Sequence, residues 1–237
     1  MNRYSQSDSI AQHASRELHN YYITQVYGWM TCGLILTSFV AWLASLNPVL
    51  TDCIFNNRNV FFSLITIQLF LSIFISSFFN IFSSLITTGM FMFYSMLTGL
   101  VMSHIFLIFT NSSIATTFCI TSIMFGCMSI YGYTTKRDLS HFNNILIMGL
   151  IGVLISSIIN FILKSSLLMW FLTYISILLF VFLTASDTQK LKMISNKIDI
   201  NDDNNLRRAS ILGAFILYLD FINLFTLLLR IGGDRNK

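Results

Sequence analysis

Residues 211–231 read ILGAFILYLDFINLFTLLLRI, an apolar run with a single carboxylate, Asp220, almost at its midpoint. At about 1.5 Å rise per residue, a helix of this length crosses a hydrocarbon core of roughly 30 Å. An Asp at the centre of such a helix costs about 2.5 to 3.5 kcal/mol on insertion scales, so it calls for a function and a partner. Asp187 is the candidate partner, because among ten acidic residues only these two fall in or at the edge of an apolar span.

Outward from that run, the rest of the chain has the same solvent in mind. Apolar residues make up 55 % of the 237 positions and charged residues 10 %, against about 25 % charged in an ordinary soluble domain. Residues 59–135 carry no Asp, Glu, Lys or Arg at all, a stretch that water would not solvate and that must hold several spans. The chain therefore reads as an all-α, multi-pass membrane protein. The net charge of +4 does not point to nucleic acid, because the bases stand beside span ends, where they anchor helices. Cys32, Cys53, Cys119 and Cys127 form no CxxC pair and have no His at ligand spacing, so they read as small hydrophobes.

The apolar runs predict seven spans, at about 25–46, 60–79, 85–109, 114–133, 144–163, 167–187 and 211–231. Residues 1–24 form a polar N-terminus without the apolar core of a signal peptide, so the first span reads as an uncleaved anchor. Residues 25–231 read as a single transmembrane domain and 232–237 as a polar tail. Asn47-Pro48 ends the first span, since proline cannot continue a helix. A charged hinge, Lys136-Arg137-Asp138, precedes the fifth span, and a long polar segment, 188–208, precedes the seventh. Nine bases then fall on the N-terminal side of the membrane (Arg3, Arg16, Lys136, Arg137, Lys190, Lys192, Lys197, Arg207, Arg208) and five on the other (Arg58, Lys164, Arg230, Arg235, Lys237). The positive-inside rule places the N-terminus in the cytoplasm. A seventh segment that re-enters instead of crossing would satisfy the rule as well.

The chemistry rests on the two acids. Two carboxylates a few ångströms apart in low dielectric cannot both ionise cheaply, so they share a proton. Protonated, the pair would tie the sixth and seventh spans together. Deprotonated, it would repel and present hard oxygens suited to Ca²⁺. The alternative makes Asp187 a solvated helix end and Asp220 an interhelical hydrogen-bond donor. Asn223, three residues after Asp220, shares its helical face and could orient the carboxylate, with Tyr218 and Thr226 adding hydroxyls. Gln68, His104 and Asn160 are each expected to make one hydrogen bond to a neighbouring helix and not a ligand bond. No zinc-ligand spacing, nucleophilic triad or glycine-rich phosphate loop is visible, so no enzyme and no resident cofactor are expected.

Four motifs in order, Val26-Tyr27-Gly28, Tyr131-Gly132-Tyr133-Thr134-Thr135-Lys136-Arg137-Asp138-Leu139-Ser140, Asp187-Thr188-Gln189 and Tyr218-Leu219-Asp220-Phe221-Ile222-Asn223-Leu224-Phe225, resemble the Bax inhibitor-1 (transmembrane Bax inhibitor motif) family. The resemblance runs from about Tyr22 to Gly232. It implies seven helices, six of them surrounding a central C-terminal seventh, in a bacterial inner membrane. It further implies a pH-sensitive Ca²⁺ leak gated by two aspartates, which match Asp187 and Asp220. One departure changes the electrostatics: family members carry an Arg near the cytoplasmic end of the second span, where this chain has Asn80-Ile81. Unless Lys136, Arg137, Lys190 or Arg207 reaches in, the pair lacks a fixed counter-ion, and its gating pH departs from that of relatives.

Two functions follow as expectations. One is a passive, pH-sensitive cation leak with Asp187 and Asp220 as gate, pH sensor and Ca²⁺ contact, its partners being the bilayer, cations and protons. The other is a non-conducting regulator that binds membrane proteins such as a quality-control protease, as some bacterial relatives do.

Overall fold

The computed structural model describes residues 2–78, 81–195 and 203–236, with side chains for 20–78, 81–195 and 204–236. Asn80, Lys197 and Lys237, which enter the topology and charge expectations, lie outside the described residues, as do the side chains of Arg3 and Arg16. The described residues form eight helices: α1 Asn2–Ser45, α2 Pro48–Phe55, α3 Arg58–Phe78, α4 Ser84–Ile108, α5 Asn111–Thr134, α6 Ser140–Leu163, α7 Ser166–Ser195 and α8 Asp203–Gly232. Seven are long and apolar enough to cross a membrane, α2 being the exception. Helices suit this setting because each backbone donor finds its acceptor inside the segment.

Several boundaries depart from the apolar runs, α1 and α8 beginning well before theirs, at Asn2 and Asp203. Asn47-Pro48 ends α1 and at once begins α2: the Asn47 side chain accepts from the Val49 N–H at 3.1 Å, and Pro48 occupies the first helical position, where no N–H is needed. The sixth span also runs beyond Asp187 to Ser195, about two further turns, so Asp187 stands inside a helix and not at its end.

The chain divides into two compact units, Met1–Ile108 with Leu191–Tyr218, and Phe109–Lys190 with Leu219–Lys237. In the first, α1 buries Tyr22, Val26, Met30, Thr37, Ala41 and Ala44 at helical spacing. Phe91 and Tyr94 of α4 pack edge-on against Phe215 of α8, with ring centroids 6.1 and 5.0 Å apart. The Tyr218 hydroxyl pairs with Thr37 Oγ1 at 2.7 Å. A Cβ on Gly99 would lie 2.7 Å from the Thr37 carbonyl oxygen, so α1 and α4 approach closely because that position has no side chain. Gln68 Nε2 donates to Thr98 Oγ1 at 3.1 Å, the interhelical bond expected of a lone amide in lipid. His104 Nδ1 lies 2.5 Å from the Val101 carbonyl of its own helix, and its ring meets Phe55 at 5.5 Å.

In the second unit, α5 turns one stripe inward: Ser113, Thr117, Thr121, Phe125, Ser129 and Gly132. The Thr121 hydroxyl donates to the Thr117 carbonyl at 2.7 Å, so it needs no acceptor on another helix. Asn160 Oδ1 accepts from the Ser165 N–H at 3.1 Å and closes the turn after α6, where Lys164 takes a left-handed conformation at φ 53°. By contrast α3 and α6 bury only Ile75 and Leu146 respectively among their described residues, as expected of helices that are apolar all round and face lipid. The four cysteines are free and exposed.

Gly132 is the tightest crossing in this unit. A Cβ there would lie 2.2 Å from the Ala185 carbonyl oxygen on α7, a distance no real atom pair tolerates. Gly132→Ala is therefore expected to force α5 and α7 apart and destabilise the protein by about 1 to 3 kcal/mol. A lowered thermal midpoint in detergent checks it, and an unchanged midpoint would show that the crossing gives way freely.

Candidate functional site

All the groups that converge on the two acids belong to the second unit. Asp187 and Lys190 project from one face of α7, one turn apart, and Lys190 Nζ lies 2.6 Å from Asp187 Oδ1. The same ammonium donates to Asn143 Oδ1 on α6, also at 2.6 Å. Asp187 is 13 % exposed and Lys190 35 %, so the pair is partly buried. Asp220, on α8, is only 6 % exposed. Its Oδ2 has no hydrogen-bond partner among the described residues, and a buried carboxylate oxygen left unpaired costs free energy. The charged side chains that act on Asp220 are Asp187 and Lys190.

The sequence thus names both acids, and the structure adds their cation. Of the four bases considered as counter-ions, Lys190 is the one that reaches the site. Arg207 stacks over Trp29 instead, its guanidinium 5.4 Å from the ring centre. The Asn223 amide, expected to orient Asp220, makes no side-chain hydrogen bond among the described residues, and only its carbonyl accepts, from Thr226 Oγ1 at 2.9 Å. Thr226 turns back onto its own helix, donating also to Ile222 at 2.9 Å. No group of three His, Cys, Asp or Glu side chains that could hold a metal ion occurs among the described residues.

Two neighbours of the acids escaped the sequence reading. Gln189, 8 % exposed, donates from Nε2 to the Arg137 carbonyl at 2.8 Å and accepts at Oε1 from the Leu139 N–H at 2.7 Å. One amide thereby fastens the charged hinge to α7 beside Asp187. Thr188 Oγ1 lies 3.5 Å from Ser129 Oγ on α5. Gln189 sits in a quoted motif, Asp187-Thr188-Gln189, but only the fold reveals which backbone it serves. Gln189→Ala strands the Leu139 N–H and is expected to cost about 1 to 3 kcal/mol. Faster amide exchange at Leu139 than at the middle of α5 checks it.

Asp138, in the hinge, titrates below the ordinary carboxylate range. Ser140, through its hydroxyl and its N–H, holds the Asp138 carboxyl below the ordinary carboxylate range, the N–H at 2.9 Å. A lowered value means that its contribution is complete above about pH 4 and is lost only as pH falls through that lower value. Asp138→Asn should therefore leave any pH dependence between about pH 5 and 8 unmoved. A displaced midpoint in that variant would show that the hinge is part of the sensor.

The family described as Inhibitor of apoptosis-promoting Bax1 matches residues 19–237. The Escherichia coli inner membrane protein YbhL is 54 % identical over 235 residues, 99 % of this chain and all of that one. An uncharacterized protein of Borreliella burgdorferi is 39 % identical across 93 % of this chain and 94 % of its own length. A Deinococcus radiodurans protein, also uncharacterized, is 34 % identical across 91 % of each.

Proposed function

We propose, because the chain belongs to the Bax inhibitor-1 family of multi-pass membrane proteins, that it is a passive, pH-sensitive cation leak whose permeant ion is Ca²⁺ and whose gate is the pair Asp187 and Asp220. It resides in an inner membrane, as its relative YbhL does, with the N-terminus in the cytoplasm. The observation that carries the reading is the Asp220 carboxyl: buried in a membrane-crossing helix, with one oxygen unpartnered. A group so placed is a functional residue by default in a bilayer. Asp187 and Lys190 are the charges that act on it, so its protonation is linked to the partly buried ion pair on α7. At low pH the pair holds a proton and the helices stay together. As pH rises the proton leaves, the carboxylates repel each other, and oxygens suited to a hard cation are exposed. No chemical step on a substrate is involved.

The test is Ca²⁺ influx into liposomes holding the purified protein, scanned from about pH 5 to 8. Flux that rises with pH is expected. A folded protein that passes no more Ca²⁺ than empty liposomes would end the leak reading and leave the partner-binding regulator as its replacement.

A further inference from the structure

Tyr218 stands two positions before Asp220 on α8, about 3 Å along the axis and about 200° round it. Its hydroxyl, expected beside the acid, meets α1 instead, and the bond there has a direction. Thr37 Oγ1 lies 2.9 Å from the Gly33 carbonyl on α1, 3.0 Å from the Ser95 carbonyl on α4 and 2.7 Å from the Tyr218 hydroxyl. Carbonyls only accept, so the single Thr37 proton goes to them, and the Tyr218 O–H is the donor in the third bond. Both side chains are buried, where a phenol without an acceptor costs free energy.

The acceptor sits in a closely packed frame. A Cβ on Gly33 would lie 2.5 Å from the Phe91 ring of α4, so α1 and α4 come together at that level because the position has no side chain. Phe91 and Tyr94 in turn meet the Tyr218 ring edge-on, with centroids 5.6 and 6.2 Å away. Polar ties of α8 in this unit also stand near its start: Ser84 Oγ donates to Asn204 Oδ1, and Arg208 Nη1 to the Phe82 carbonyl, each at 3.1 Å. Those hold the helix about three turns or more before Asp220, whereas the Tyr218 bond holds it within one turn of the acid.

We propose that Tyr218 is a positioning residue for Asp220: its hydrogen bond to Thr37 sets the rotation of α8 at which the acid is buried. The proposal rests on the leak reading above and adds to it a second restraint on the closed state. One continuous helix carries both residues, so a turn that brings the carboxyl out of burial carries the hydroxyl off Thr37. The bond therefore stabilises the state with Asp220 buried and not the turned one, and only such a difference can shift the balance between them.

Ca²⁺ influx into liposomes at acidic pH is expected to be about threefold higher in Tyr218→Phe, which keeps the ring and loses the bond, than in the parent. Thr37→Ser, which keeps a hydroxyl acceptor, is expected to match the parent. Thr37→Val removes the acceptor and is expected to raise the flux likewise. Adding Tyr218→Phe to it is expected to raise the flux no further, because the two side chains act through one bond. Should Tyr218→Phe not fold, the contrast between Thr37→Val and Thr37→Ser decides the same question. A bond that only holds the fold together would lower the thermal midpoint of Tyr218→Phe in detergent and leave the pH profile of the flux alone. That result, in a parent that conducts, overturns the positioning role and leaves the leak standing, and so do additive effects of the two substitutions. If neither parent nor variants conduct, the leak reading fails and the role falls with it.

Discussion

Asp220→Asn is expected to flatten the flux profile, leaving a leak that no longer changes from about pH 5 to 8 while the parent's rises across the same range. The substitution preserves shape and removes the proton equilibrium, so it isolates the charge from the packing. A second consequence concerns stability. Asp220 is 6 % exposed and its Oδ2 is unpartnered among the described residues, so ionising it in place leaves a buried charge with one oxygen unpaired. The variant should therefore match the parent's thermal stability at low pH, where both side chains are neutral, and exceed it by about 2 kcal/mol at high pH, where only the parent acquires a buried charge. Asp187→Asn should flatten the flux too, but without that gain, because Asp187 has Lys190 2.6 Å away and its charge is already balanced. A pH-dependent flux that survives in Asp220→Asn would remove Asp220 as the sensor.

The sequence made some of this legible and hid the rest, for identifiable reasons. A bilayer demands about twenty apolar residues per crossing, and so the seven spans appear as runs. It also tolerates few charges, and so two acids in an otherwise uncharged interior stand out. Hydropathy marks where the apolar surface stops, not where the helix stops, which is why α7 continues through Gln189, Lys190 and Lys192 to Ser195. Pro48 signals a helix end by its missing N–H, yet the same property makes it a good first residue, and α2 begins there. Nothing in the spacing of Lys190 and Asn143, 47 positions apart, announces that they meet at 2.6 Å.

Lys190 supplies the counter-ion that the sequence left open among four bases: it stands one turn after Asp187 on the same helix, its Nζ 2.6 Å from Asp187 Oδ1. Lys190→Met keeps the length of the side chain and removes the charge. The acids then lose the ammonium that lies 2.6 Å from Asp187 Oδ1, and the flux midpoint should move by about one pH unit. Lys190 also bonds Asn143, so a shift could come from loosening α6 instead of from charge. Asn143→Ala separates the two, because it breaks the tie to α6 and leaves the ammonium beside Asp187. A midpoint that moves in Lys190→Met and holds in Asn143→Ala assigns the effect to charge. Equal shifts in both variants would make Lys190 a strut between helices, and the acids would then have to find their electrostatic balance in water at the edge of the membrane.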